Sequence, residues 1–153
     1  RYVCVVNIFG MPMKITVEQR IQAPIQRVWS AMHQPNDICQ WNAPLESWQT
    51  SSVDVDFREG GKFSYRMEAK DRSAGFDFAG TYTKIIPYER IEYTLEDDRQ
   101  VIIEFIPTAD AVQIRQTFDA ETENSAEQQR KGWQAILGNL ARYLDVDASA
   151  IKA

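Results

Sequence analysis

A chain of 153 residues accommodates one domain, and 44% hydrophobic against 25% charged residues is the balance of a folded globular protein rather than a disordered or fibrous one. The net charge of −5, with no basic run, argues against nucleic-acid binding, which needs Lys and Arg clustered on phosphates. Cys4 and Cys39 lie far apart without Cys-x-x-Cys or Cys/His spacing, so neither a zinc site nor a disulfide framework is expected, and a reducing cytoplasm is the simplest setting.

The chain opens on an apolar run from Tyr2 to Phe9. It is too short to span a bilayer, which takes ~20 apolar residues, and it lacks the basic start and cleavage site of a signal peptide. Residues 1–12 are expected to be an extension foreign to the domain, an added edge strand being the alternative. Regular patterning begins at Met13 and defines one domain over 13–146, with 147–153 as a tail.

Residues 14–21 alternate, with Ile15, Val17 and Ile21 on one face, and predict a strand. Pro24 suits a first helical position, and Ile25, Val28, Trp29 and Met32 share one helical face. Pro35 stops that helix and starts a second short one over 35–41. Residues 47–50 and 53–58 read as two short strands with a turn near Ser51-Ser52. Gly60-Gly61 is a turn, because glycine reaches positive φ without steric cost. Strands follow over 62–68, 76–86, 90–96, 100–106 and 112–118, joined by short turns that imply an antiparallel sheet. Ser125 and Gln128 form a capping-box pattern that starts a helix running to about residue 145. Its stripe of Trp133, Ile136, Leu137, Leu140, Tyr143 and Leu144 is the only cover long enough for a curved sheet. The fold class is α+β: about six to seven antiparallel strands wrapped around a long C-terminal helix, with two short helices after the first strand.

Four segments carry a family resemblance: Ile21-x-Ala23-Pro24 with Val28-Trp29; Trp41 with Phe57, Gly60-Gly61 and Phe63; Gly80-x-Tyr82 through Ile85, Pro87, Glu89-Arg90-Ile91 and Tyr93-Thr94; and Gly132-Trp133 with Leu137, Leu140 and Tyr143-Leu144. Their order resembles the helix-grip superfamily of START, Bet v 1, polyketide cyclase and SRPBCC domains. The nearest branch is that of the C-terminal domain of the activator of the heat-shock-chaperone ATPase. The resemblance implies the helix-grip fold and a cavity between sheet and last helix. It does not fix activity, since the superfamily holds lipid binders, cyclases, receptors and chaperone regulators. The chaperone activator carries a further N-terminal domain that this sequence does not show, so chaperone activation is not the expected task.

The cavity candidates are Trp41, Phe63, Tyr65, Met67, Phe78, Tyr82, Tyr93, Trp133, Leu137 and Leu140, aromatic and apolar residues of the alternating strands and the last helix. Each would serve equally as plain core. Which face of the strand holding Phe76 points inward stays open, because a one-residue slip reverses it. His33, the only histidine, sits at the end of the first helix, where a surface role and a contact at the cavity mouth are both open. Asp77 and Glu104 are flanked by apolar residues and would matter chemically only if they faced inward. Of the polar strand residues Arg66, Asp77, Glu104, Arg115 and Gln116, most are expected on the wet face. No Ser-His-Asp order, HExxH, GxSxG or phosphate loop occurs, so no catalytic residue, metal or cofactor is expected. The reading is a small hydrophobic ligand held in a cavity of a cytoplasmic monomer or homodimer that binds neither nucleic acid nor membrane. The alternatives are a cyclase, dehydratase or hydrolase on the same cavity, or a stress-related chaperone-regulating interaction protein.

Overall fold

The computed structural model describes residue 6 and residues 13–152, with side chains through residue 145. The expectations for the apolar N-terminal run and for the last side chains fall outside the described residues. The elements run β1 (Lys14–Ile21), α1 (Ile25–Ala31), α2 (Pro35–Trp41), β2 (Trp48–Val55), β3 (Lys62–Ala69), β4 (Gly75–Ile86), β5 (Arg90–Leu95), β6 (Gln100–Pro107), β7 (Val112–Asp119) and α3 (Ala126–Lys152). The seven strands form one antiparallel sheet in the order β1-β7-β6-β5-β4-β3-β2, curled into a half-barrel with α3 in its grip. The helix continues past residue 145, where its apolar stripe ends.

Residues 47–58 do not make two strands with a turn between them. One strand, β2, runs through, and its register against β3 shifts between Thr50 and Ser52. A bulge of this kind bends a strand without ending it. The polar Ser-Ser pair is the signal that a turn and a bulge share. A second shift lies in β4 between Tyr82 and Lys84. It decides the face left open by the sequence: Phe76, Phe78 and Tyr82 point inward before it, and Ile85 opposes the buried Ile91 after it.

The core lies on the concave face. Ile15, Val17, Ile91, Val101, Ile103, Phe105, Ile114 and Phe118 meet Leu137, Leu140 and Leu144 of α3. Burying each such side chain contributes ~1.5–3 kcal/mol relative to exposure. The convex face is laced with ion pairs, among them Arg115 to Glu18 at 2.9 Å and Arg66 to Asp77 at 3.5 Å. Exposed pairs of this sort contribute ~0–1 kcal/mol each and mainly keep the outer face wet. The capping box forms as its spacing predicts. The Gln128 backbone N–H donates to Ser125 Oγ at 3.1 Å, and the Ser125 N–H donates to Gln128 Oε1 at 3.0 Å.

Gly80 permits the tightest crossing of the sheet. A Cβ there would meet the Thr94 carbonyl oxygen at 2.5 Å and the rim of the Phe63 ring at 3.1 Å. The backbone oxygen cannot step aside without breaking the β4–β5 ladder. Gly80→Ala is therefore expected to cost about 1–3 kcal/mol, the range for overpacking, read as a lower denaturation midpoint. An unchanged midpoint would show that the two strands part without penalty.

Candidate functional site

The concave face and α3 do not close completely. Between them lies a cavity of about 350 Å³. Its sheet wall is built from Tyr65 and Met67 of β3, Phe76, Phe78 and Tyr82 of β4, Ile91 and Tyr93 of β5, and Ile103 of β6. Gly132, Trp133, Ile136 and Leu137 of α3 form the facing wall, and Met32, Trp41, Asn42 and Pro44 close one side. Phe76, Asn124 and Gln128 line the cavity and are exposed, so they mark where it opens to solvent.

The walls are held by aromatic packing. Trp133 stacks flat on the buried Phe118, with centroids 3.9 Å apart, and meets Phe78 edge-on at 6.0 Å. Phe78 in turn meets Tyr93 edge-on, and Tyr65 lies 5.8 Å from Phe78. Such offset and edge-to-face pairs add ~0.5–1.5 kcal/mol beyond their burial and fix ring positions. The Trp41 indole N–H donates to the Ala31 carbonyl at 3.0 Å, which ties α2 to α1 and sets that ring at the cavity's side.

One end of the cavity is polar. Arg99 and Gln116 line it and are buried, as are Glu121 and Gln129. Arg99 Nε donates to Asp97 Oδ2 at 2.8 Å. The Glu121 carboxylate accepts from the Asn124 side-chain amide at 2.9 Å and from the backbone N–H groups of Glu123 and Asn124. Gln129 braces the same loop: its amide donates to the Glu121 and Asn124 carbonyls, and its Oε1 accepts the Glu121 N–H at 2.9 Å. Burial pushes the Tyr65, Tyr82 and Tyr93 hydroxyls well above the ordinary phenol range. These groups stay protonated across the physiological range. They cannot serve as bases there.

The sequence from residue 22 to residue 145 matches the family described as activator of Hsp90 ATPase homolog 1-like protein. The chain belongs to that family. Among solved structures, this family member is 40% identical to an AHSA1-like protein from Aeromonas hydrophila, with a TM-score of 0.83 over 89% of this chain and 94% of the other. A protein from Cytophaga hutchinsonii is 38% identical with a TM-score of 0.76, again over 89% and 94%. One from Chromobacterium violaceum is 26% identical with a TM-score of 0.75, over 86% and 96%. No curated protein sequence matches the chain. The helix-grip resemblance read from the four sequence segments is thereby placed in this AHSA1-like branch.

Of the residues singled out in the sequence, the AHSA1-like domain brings Trp41, Tyr65, Met67, Phe78, Tyr82, Tyr93, Trp133 and Leu137 together around the cavity. Phe63 and Leu140 stand elsewhere: both are buried in the core, Phe63 against Tyr65, Tyr82 and Tyr93. Asp77 and Glu104 take no part. Alternation turns both outward, where Asp77 faces Arg66 and Glu104 approaches Arg90 at 3.6 Å. Gln116 is the one of the five polar strand residues that points inward and is buried. It shares its face with Val112, Ile114 and Phe118, so the alternation itself carried the signal. Arg99 and Glu121 had no such signal, because both sit in connections, where periodicity is silent. Among the described residues no group of three or more His, Cys, Asp or Glu is placed to hold a metal, and no helix is long and apolar enough to cross a membrane.

His33 does not line the cavity. Its ring stacks on Phe57 with centroids 3.9 Å apart, in a cluster with Trp29. Burial lowers its pKa, and Asp37 opposes this in part. A folded-state pKa below the unfolded value means that stability is full above the unfolded pKa of ~6.5 and falls as acid charges the buried ring. Because it is the only histidine, the expected result is a loss of stability from pH 7 toward pH 5 that His33→Gln flattens. Denaturation midpoints across that range would show it, and an identical slope in the variant would contradict it.

Proposed function

We propose that this AHSA1-like chain is a binding module that holds one small, flat, mostly apolar molecule between the sheet and α3. The observation that supports it is the cavity itself. Protein interiors close nearly all voids larger than a water, yet here about 350 Å³ stays open behind a wall of aromatic rings, within the ~300–1,000 Å³ of ligand pockets. Polar groups gather at one end and apolar ones at the other, the usual division between orientation and affinity. Among the described residues, every buried side-chain polar atom has a partner, so the lining is a finished surface.

The same lining favours binding over acid–base catalysis. Glu121 is the carboxylate on it, and its oxygens are taken up by the loop it braces. The tyrosines are held neutral. General acid–base work needs a group poised near the working pH, and the tyrosines are not. The test is native mass spectrometry of the protein purified from its own host, followed by extraction of whatever is bound. A defined small molecule released on denaturation is the expected result. An empty protein that also gains no thermal stability from a panel of lipids, aromatic acids and polyketide-like compounds would move the function to the surface.

A further inference from the structure

We propose that the cavity selects a neutral ligand carrying a carbonyl or hydroxyl oxygen, and that it discriminates against carboxylates of the same shape. This rests on the cavity-binding reading and names the chemistry of its guest. The charged residue types at the polar end are few. Arg99 is the cation that lines the cavity, and Asp97 accepts from its Nε at 2.8 Å; the two side chains are about nine-tenths covered, with exposures of 10% and 13%, although Glu96 and Asp98 beside them are exposed. Glu121 is the carboxylate on the lining itself. Two acids thus accompany one guanidinium at this end.

A carboxylate guest would bring a third. To reach Arg99 it would have to share the guanidinium with Asp97, inside a region where charges interact far more strongly than in water. It would also shed its own hydration, which an apolar wall does not replace. A carbonyl or hydroxyl guest escapes the first cost and meets a much smaller form of the second. On the lining Tyr65 hydrogen-bonds Tyr82 and Gln116 hydrogen-bonds Tyr93, and the Tyr82 and Tyr93 hydroxyls of these pairs are suited to a neutral oxygen. The rest of the wall is ring face and aliphatic surface, which suits a planar aromatic body.

The experiment compares a naphthamide with the corresponding naphthoate, two probes of one shape that differ in charge at neutral pH, by calorimetry on the full chain. The amide is expected to bind at least about tenfold more tightly. Asp97→Asn, which keeps the turn's hydrogen-bonding shape while removing one charge, is expected to raise the naphthoate affinity several-fold and to leave the naphthamide affinity unchanged. Naphthoate binding as tightly as the amide would overturn the charge selection while the cavity reading stands. An amide preference that Asp97→Asn leaves untouched would overturn its electrostatic origin. If neither probe binds and neither shifts the cavity tryptophans, the cavity reading falls and this selection with it.

Discussion

Gly132→Leu is expected to fill the cavity from the helix side, weakening any guest while making the protein more stable. A Cβ at Gly132 would meet nothing within 4 Å, and the residue lines the cavity on α3 between Gln129 and Trp133. Glycine in a helix interior is less favourable than Ala by ~0.8–1.0 kcal/mol, and Leu is nearly as good as Ala. The substitution should therefore raise the denaturation midpoint by an amount corresponding to about 1 kcal/mol. A guest forced against the new side chain would meet an overpacking cost of about 1–3 kcal/mol, which lowers its affinity roughly five- to a hundredfold. Few core positions pair a gain in stability with a loss of binding. A loss of stability instead would mean that the space beside Gly132 is not open in solution.

Phe118→Ala should instead lower both stability and binding. Phe118 is 1% exposed, on β7, and carries the flat face of Trp133. Truncating a buried Phe costs about 3–5 kcal/mol, a large share of the 5–15 kcal/mol that holds a typical domain. Trp133 would lose its support and with it the cavity's helix wall. Phe78→Ala is the control, because Phe78 already borders open space and is only partly buried. It should cost less stability than Phe118→Ala and still weaken binding. Equilibrium urea unfolding of the two variants, measured side by side, checks the order. Equal losses would contradict the assignment of Phe118 as support and Phe78 as lining.

Much of this was legible in the sequence, and the reason lies in periodicity. Alternation placed Tyr65, Met67 and Tyr93 on one face of their strands, and the helical stripe placed Trp133 and Leu137 opposite them. The paired elements then had to bring them together. The same rule turns Asp77 and Glu104 outward and Gln116 inward. Three things lay beyond periodicity. Bulges in β2 and β4 change the parity of a strand without a residue type that announces them. Phe63 and Leu140 share faces with cavity residues, and only the depth of packing separates lining from core. The polar end comes from turns and loop ends, where Arg99, Glu121 and Gln129 meet across stretches of sequence that no local pattern links.

The most direct test of the central claim is a heteronuclear NMR titration of the four tryptophan indole N–H signals with the naphthamide. Trp41 and Trp133 line the cavity, whereas Trp29 packs on Phe57 and Phe105 beside His33 and does not line it. A guest in the cavity should shift the Trp41 and Trp133 signals, saturably and together, and leave Trp29 in place. Shifts confined to Trp29, or none at all at probe saturation, would show that the space between sheet and helix is not where this protein binds.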